Sequence, residues 1–224
     1  MITLHHLNNS RSQRIIWLLE TLAVDYQIKT YQRNSETSLA PEALLEIHPL
    51  GKSPVITDGQ RTIAESGLII EYLAQSYRQN VDLLPEQGSE AHWQYLYWLH
   101  YAEGSLMPFM VMTLVFEKIK TAPMPFFIRP VAKAIADKAI AGYAGPNLIK
   151  NLQYVDDYLE GKTWFAGDKI TGADIQMIFP LEAAISRGDA RKQYSNIAGY
   201  VDHIHQLESY QKALEKGGPY DYAS

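Results

Sequence analysis

The stretch HPLGKSPVITDGQRTIAESGLIIEYL, residues 48–73, predicts more structure than any other part of the chain. A short apolar run follows Pro54, and Asp58-Gly59 is a two-residue hairpin signal, with Arg61–Ala64 as the return strand. A helix is expected to begin at Glu65-Ser66, because the apolar residues that follow have helical spacing. A proline, a lysine and a helix N-terminus are therefore expected close together, an arrangement that suits a small, extended, charged, peptide-like ligand.

The residues before this stretch predict a strand, a helix and a second strand. Residues 2–7 and 26–31 have strand character, and an apolar helical pattern lies between them after the Asn8–Ser12 turn. A weak helix is expected at residues 41–47. The order β-α-β-α-β-β-α up to Tyr77 predicts a thioredoxin-like α/β fold.

The residues after this stretch predict an all-helical region. Residues 89–121 form one long helical pattern, which we expect to bend at Pro108 because proline removes a backbone donor. Further helices are expected at residues 131–141, 148–159, 171–185, 196–207 and 210–216, with a break at 142–146 and a polar tail at 217–224. We therefore expect a thioredoxin-like domain at residues 1–78, a linker at 79–88 and an all-α domain at 89–224.

Composition excludes several kinds of protein. The chain has 224 residues, a net charge of −5 and scattered Lys and Arg, which argues against nucleic acid as a partner. It lacks cysteine, so disulfides, thiolate metal sites and protein-thiol chemistry are excluded. His5-His6, His203 and His205 have no evident third ligand, so no metal site is expected. No apolar run is long enough to span a membrane and no signal peptide is visible, so we expect no membrane partner and a cytoplasmic location.

Four motifs occur in an informative order: NSRSQR at 9–14, HPLGKSPV at 48–55, AESGLIIEYL at 64–73 and FAGDKITGADI at 165–175. Together they make the chain resemble a cytosolic glutathione transferase over essentially its whole length. Neither tyrosine nor cysteine occupies the first loop, so the resemblance is to the bacterial and fungal serine-type branch. It implies a homodimer with a role in detoxification.

The resemblance also implies a set of glutathione-binding residues. Ser53-Pro54-Val55 resembles the family's cis-proline turn, where the cysteinyl backbone of glutathione pairs with the protein. Glu65 suits the ammonium group, and Ser66 at a helix N-terminus suits the γ-glutamyl carboxylate. Lys52 suits the glycyl carboxylate. Thr171 and Asp174 form a capping-box pattern and are expected to be structural.

The residues that activate the thiol are sought in the first loop. A free thiol has a pKa near ~8.5, so lowering it by about two units needs about 2.7 kcal/mol of differential stabilisation. Ser10 is the first candidate donor, because it aligns with the family's catalytic serine relative to Arg14. Asn9 is the alternative through its side-chain amide, and Ser12 is expected to cap the helix.

The residues that bind the electrophile are expected on the long helix of the second domain. Tyr97, Tyr101 and Met107 have loosely helical spacing and are candidates for an apolar pocket, although such a stripe is also typical of a core. Glu103 is a candidate for reaching the ammonium group across a dimer interface. The predicted function is addition of glutathione to a small hydrophobic electrophile, with glutathione peroxidase activity or a non-enzymatic glutathione-binding or protein-interaction module as alternatives.

Overall fold

The computed structural model describes residues 1–34, 37, 39–186 and 189–223. Within these residues one sheet has four strands in the order β2-β1-β3-β4, with β1 parallel to β2 and antiparallel to β3. A parallel pair needs a crossover connection, which the first helix supplies. The predicted strands are all confirmed: β1 (Ile2–Leu7), β2 (Tyr26–Tyr31), β3 (Val55–Asp58) and β4 (Arg61–Ala64).

The hairpin loop differs by one residue from the prediction. Asp58 pairs with Arg61 in the ladder, so the two loop residues are Gly59 and Gln60 rather than Asp58 and Gly59. Gly59 has a φ of +58°, and a hairpin turn with glycine at its first central position favours that conformation. With this register β4 ends at Ala64, directly before the residues at which the next helix begins.

Two helices complete this half of the chain, α1 (Ser12–Thr21) and α2 (Ser66–Ser76). The weak helix predicted at 41–47 is reduced to one 3₁₀ turn at Glu42–Leu44. The segment lies between Pro41 and Pro49, which leaves too few residues for a stable α-helix. Part of the predicted loop before it, at Ser35, Glu36 and Ser38, lies outside the described residues.

The rest of the chain is helical where the structure describes it. The short α8 was not predicted; the other helices match the predicted pattern to within a few residues at their ends. The helices are α3 (Glu90–Tyr101), α4 (Met107–Thr121), α5 (Arg129–Ala139), α6 (Gly145–Leu159), α7 (Gly172–Ile185), α8 (Ala190–Gln193), α9 (Ser195–His205) and α10 (Glu208–Gly217).

Two π-helical turns lie close to the predicted bend and at the predicted break. Ala102–Leu106 connects α3 to α4, and Ile140–Ala144 connects α5 to α6. Each turn ends two residues before a proline, Pro108 and Pro146. Because proline cannot donate to the carbonyl four residues earlier, a wider turn lets the helical path continue. The prediction of an interrupted helix at 142–146 was therefore wrong.

One hydrophobic core joins the sheet half to the helical half. The predicted capping box is present at the start of α7: Thr171 accepts a hydrogen bond from Ala173 N–H, and Asp174 accepts one from Thr171 N–H at 2.8 Å. Almost all of α7 is buried, and it packs against α1, α2 and α3. None of the described helices is long and apolar enough to cross a membrane.

Candidate active site

A cavity of about 270 Å³ lies where the β1–α1 turn, residues 48–54 and the start of α2 meet. It brings together five of the predicted glutathione-binding residues and adds the first-loop residue Arg11. Its lining consists of Arg11, His48, Leu50, Lys52, Ser53, Pro54, Ala64, Glu65, Ser66 and Glu103.

The wall of the cavity at residues 51–54 is shaped by local backbone geometry. The Ser53–Pro54 peptide bond is cis, as the resemblance implied, and Ser53 Oγ donates to the carbonyl of His5 in β1 at 2.8 Å. Gly51 has a φ of +56°, and a Cβ there would lie 2.8 Å from Leu45 Cδ2, so the turn favours glycine. Val55 does not line the cavity; it is 1 % exposed and pairs with both neighbouring strands.

The N-terminus of α2 forms the opposite wall. No side chain among the described residues caps this helix, and its first turn contains no acidic residue, so backbone N–H groups remain for an anion. Glu65, immediately before it, has a φ of +70°, a conformation that costs energy for a residue other than glycine. Such strain is typical of sites where the backbone conformation is set for binding a ligand.

Arg14 lies beneath this helix end and was not predicted to be part of the site. Its guanidinium is fully buried and donates to Ser66 Oγ at 2.5 Å and to the carbonyl of Gln176 at 2.6 Å. It also donates to Glu103 Oε1 at 2.5 Å. A fixed positive charge therefore adds to the positive end of the α2 dipole.

Glu103 lies on the π-helical turn and is held by two arginines of its own chain. Arg11 Nε donates to both carboxylate oxygens at 2.9 Å, in addition to the bond from Arg14. Burial alone would raise the pKa of Glu103, but Arg14 and Arg11 outweigh it and lower that pKa. The carboxylate is therefore an anion at the border of the cavity.

The predicted thiol-activating residues lie beside the cavity but do not line it. Ser10 is buried, with its Oγ 2.8 Å from Ser12 Oγ, and it accepts a hydrogen bond from Ser12 N–H at 3.2 Å. Ser12 does not cap α1 through its side chain; its Oγ contacts His6 Nδ1 at 2.8 Å and accepts from Leu7 N–H at 3.2 Å.

The tautomer of His6 determines where these hydroxyl hydrogens point. His6 Nε2 lies 3.1 Å from the carbonyl of Gly217, which only accepts, so Nε2 carries the hydrogen. Burial lowers the pKa of His6 and favours the neutral ring, whose Nδ1 then accepts from Ser12. Because Ser12 has one hydroxyl hydrogen, Ser10 donates its own to Ser12 in the fully satisfied network.

Asn9 is bound to the end of the chain. Its Nδ2 donates to Asp221 Oδ2 at 2.8 Å, and its Oδ1 accepts from Asp221 N–H at 2.9 Å. The tail is held further by Tyr220, whose hydroxyl donates to Glu182 Oε2 at 2.7 Å. Residues 217–223 of the predicted polar tail therefore fold back onto the β1–α1 turn.

The three residues predicted for an electrophile pocket are not brought to the cavity. Tyr97 and Tyr101 stack with centroids 5.5 Å apart and contact Tyr154 of α6, and Met107 is buried. A different face of α3, with Leu96 and Leu99, lines a larger cleft of about 1130 Å³ between α2 and α3. This cleft shares Glu65, Ser66 and Glu103 with the smaller cavity.

Comparison with known proteins agrees with this architecture. The family model "Glutathione S-transferase, N-terminal domain" matches residues 1–75, and "Glutathione S-transferase, C-terminal domain" matches residues 111–208. Glutathione S-transferase 3 of Schizosaccharomyces pombe is 37 % identical over 96 % of this chain and 88 % of its own length. Glutathione S-transferase 1 of Saccharomyces cerevisiae is 34 % identical over 96 % of this chain and 95 % of its own length.

A solved structure extends the similarity to the whole fold. The crystal structure of a glutathione S-transferase from Actinobacillus pleuropneumoniae matches with a TM-score of 0.82 and 35 % identity, covering 100 % of this chain and 96 % of that one. Both halves of the chain and their arrangement are thus shared with a protein of this family. This chain belongs to the glutathione S-transferase family of enzymes.

Proposed function

We propose that this enzyme binds glutathione in the cavity of about 270 Å³, lowers the pKa of its thiol at the β1–α1 turn, and adds the thiolate to a small hydrophobic electrophile. The supporting observation is a match of charges. Glutathione has two carboxylates and one ammonium group, and the cavity presents Lys52, the N-terminus of α2 and the carboxylate of Glu65.

Each end of the tripeptide has a partner in this proposal. The γ-glutamyl carboxylate binds Ser66 and the free N–H groups of α2, with the charge of Arg14 beneath them. Glu65 binds the ammonium group. Lys52 is exposed and makes no ion pair among the described residues, so it is available for the glycyl carboxylate. The cysteinyl backbone lies along Ser53-Pro54-Val55, where the Ser53–Pro54 bond is cis.

The thiol donor is Ser10 in the first form of the proposal and Asn9 in the second. Ser10 must turn its hydroxyl hydrogen away from Ser12 before it can donate to a thiolate. Asn9 needs no such change, because its amide carries two hydrogens and Asp221 uses one of them. In either form the turn holds the sulfur close to the N-terminus of α1, which favours an anion.

The role of Glu103 across a dimer interface stays a prediction. Three hydrogen bonds from Arg11 and Arg14 occupy its carboxylate, which offers about four lone pairs. One acceptor site therefore remains for a ligand or for a partner subunit.

Calorimetric titration with glutathione tests the binding site. Ser66→Ala should raise the dissociation constant for glutathione by about tenfold or more, because it removes a hydrogen bond to a carboxylate. Ser186→Ala is the matched control: this hydroxyl donates to the carbonyl of Ala183 at the end of α7, outside the cavity lining. Equal affinity of both variants for glutathione would exclude the assigned position of the γ-glutamyl carboxylate.

A further inference from the structure

Two apolar helix faces point to solvent instead of the core. On α4, Val111, Val115 and Ile119 follow one another at a spacing of four residues, and all three are exposed, Val115 to 50 %. On α5, Val131 and Ile135 have the same spacing and are 58 % and 62 % exposed. An amphipathic helix normally turns this stripe inward, so its exposure on two adjacent helices points to a partner.

The turn between α4 and α5 carries the most exposed large apolar side chains of the helical region. Phe126 is 81 % exposed and Phe127 is 67 % exposed, and Ile128 follows them. The helices pack against each other, and Lys120 Nζ of α4 bridges to Asp137 of α5 at 2.7 Å. We call residues 118–138 the α4–α5 tip; two phenylalanines lie at its turn.

The charge of this unit is opposite to that of the rest of the molecule. The α4–α5 tip contains five Lys and Arg side chains, Lys118, Lys120, Arg129, Lys133 and Lys138, against one aspartate, a net charge of +4, or +3 when Glu117, which pairs with Lys120 from one residue before the tip, is counted. Because the whole chain carries −5, the remaining residues carry −9. Arg129 and Lys138 make no ion pair with any described residue. Five of the 20 Lys and Arg residues therefore lie in this one segment, where apolar side chains are exposed, although the others are scattered along the chain.

We propose that the α4–α5 tip docks onto an anionic lipid surface. Phe126, Phe127 and the outward stripe of α5 enter the boundary between headgroups and acyl chains, and the cations contact lipid phosphates. Aromatic and aliphatic residues beside Lys and Arg are the combination that binds such surfaces, and each cation near an anionic leaflet strengthens binding. The contact is peripheral. It departs from the expectation of no membrane partner, which rested on the absence of a spanning run.

A second copy of the chain that pairs through this same patch is a poorer occupant for the surface. In a symmetric dimer that pairs this patch with itself, the two +4 segments would face each other. Like charges at that distance repel, whereas anionic headgroups compensate the charge and accept the apolar side chains.

Vesicle co-sedimentation tests the proposal. The wild-type enzyme should bind vesicles of phosphatidylcholine with about 30 % phosphatidylserine and bind pure phosphatidylcholine vesicles much less. Raising the salt from about 0.15 M to about 0.5 M should release much of it. Phe126→Ser with Phe127→Ser, and separately Arg129→Glu with Lys133→Glu, should each weaken partitioning by about tenfold or more.

Matched controls lie on other surfaces. Leu39→Ser removes an equally exposed apolar side chain, and Lys192→Glu reverses an exposed charge, and neither should change partitioning. Circular dichroism confirms that every variant is folded. Three results would overturn the proposal: no binding of the wild-type enzyme to the anionic vesicles, equal loss in the controls, or a tip variant that lowers the molecular mass in solution, which would assign the surface to a second copy.

Discussion

Arg14 Nη2 lies 2.5 Å from Ser66 Oγ, so a fully buried guanidinium of α1 is hydrogen-bonded to the first residue of α2. The same group bonds Glu103 on the π-helical turn and the carbonyl of Gln176 in α7. One side chain therefore connects four elements around the candidate glutathione site. It places a positive charge directly under the helix N-terminus that is proposed to bind a carboxylate.

Replacing Arg14 should affect both stability and binding. Arg14→Met leaves the carbonyl of Gln176 without its donor and removes one charge partner of Glu103, so the free energy of unfolding should fall by about 2–3 kcal/mol. Arg14→Lys keeps the charge but not the planar guanidinium group, so it should recover only part of the lost stability. Urea unfolding measures this change; a stability equal to the wild type for Arg14→Met would contradict the structural role.

The contact between Asn9 and Asp221 should support turnover more than binding. Asp221→Ala removes one hydrogen bond to the turn that holds the thiol, so kcat should fall roughly threefold to tenfold, in line with a bond of about 1 kcal/mol. Neither residue lines the cavity, so the dissociation constant for glutathione should change little. Asp221→Asn keeps an acceptor and should restore turnover, and Asp202→Ala, at an exposed ion pair, is the control.

The two candidate donors are distinguished by the pKa of the bound thiol, measured from the ultraviolet absorbance of the thiolate. Without its donor, that pKa should return toward ~8.5. If Ser10 donates, Ser10→Ala produces this rise and Asn9→Ala does not; the opposite pattern assigns Asn9. An unchanged pKa in both variants would reject the β1–α1 turn as the source of activation.

The stability of the fold should depend on the neutral state of His6. Burial lowers the pKa of His6 from 6.5, so below that value the unfolded chain binds more protons than the folded one. Stability should therefore fall as pH decreases from about 6.5 toward the folded pKa. In His6→Asn this decrease between pH 7 and 5 should be smaller, whereas His100→Asn, an exposed residue, should behave as the wild type.

The sheet and the binding stretch could be predicted because their signals are local. Strand alternation, the turn residues around Gly59 and the apolar spacing after Ser66 lie within a few positions of one another. Five of the six predicted glutathione-binding residues line one cavity, because the short β3–β4 hairpin returns the chain to its starting edge. In this part of the chain, the two residues of the hairpin loop and the length of the helical turn at 42–44 differ from the prediction.

The remaining features depend on contacts between distant residues. Asn9 and Asp221 are 212 positions apart, and nothing near Asn9 marks its partner. No pattern around Arg14 shows that α7, more than 150 residues later, packs over it and buries it. Aromatic residues surround α3, so the pattern did not show that Tyr97 and Tyr101 face α6 while Leu96 and Leu99 face the cleft.

A homodimer is expected from the family resemblance. Light scattering at micromolar protein should give a mass twice the 25.4 kDa of one chain. A mass of one chain under these conditions would contradict it. The measurement also provides the reference mass against which the α4–α5 tip variants are compared.

A crystal structure with glutathione tests the central claim most directly. The γ-glutamyl carboxylate should lie within hydrogen-bonding distance of Ser66 Oγ and the first N–H groups of α2, and the glycyl carboxylate should lie beside Lys52. The sulfur should then point toward Asn9 and Ser10. Glutathione bound in the larger cleft between α2 and α3, or in the small cavity with its sulfur directed away from the β1–α1 turn, would contradict the account.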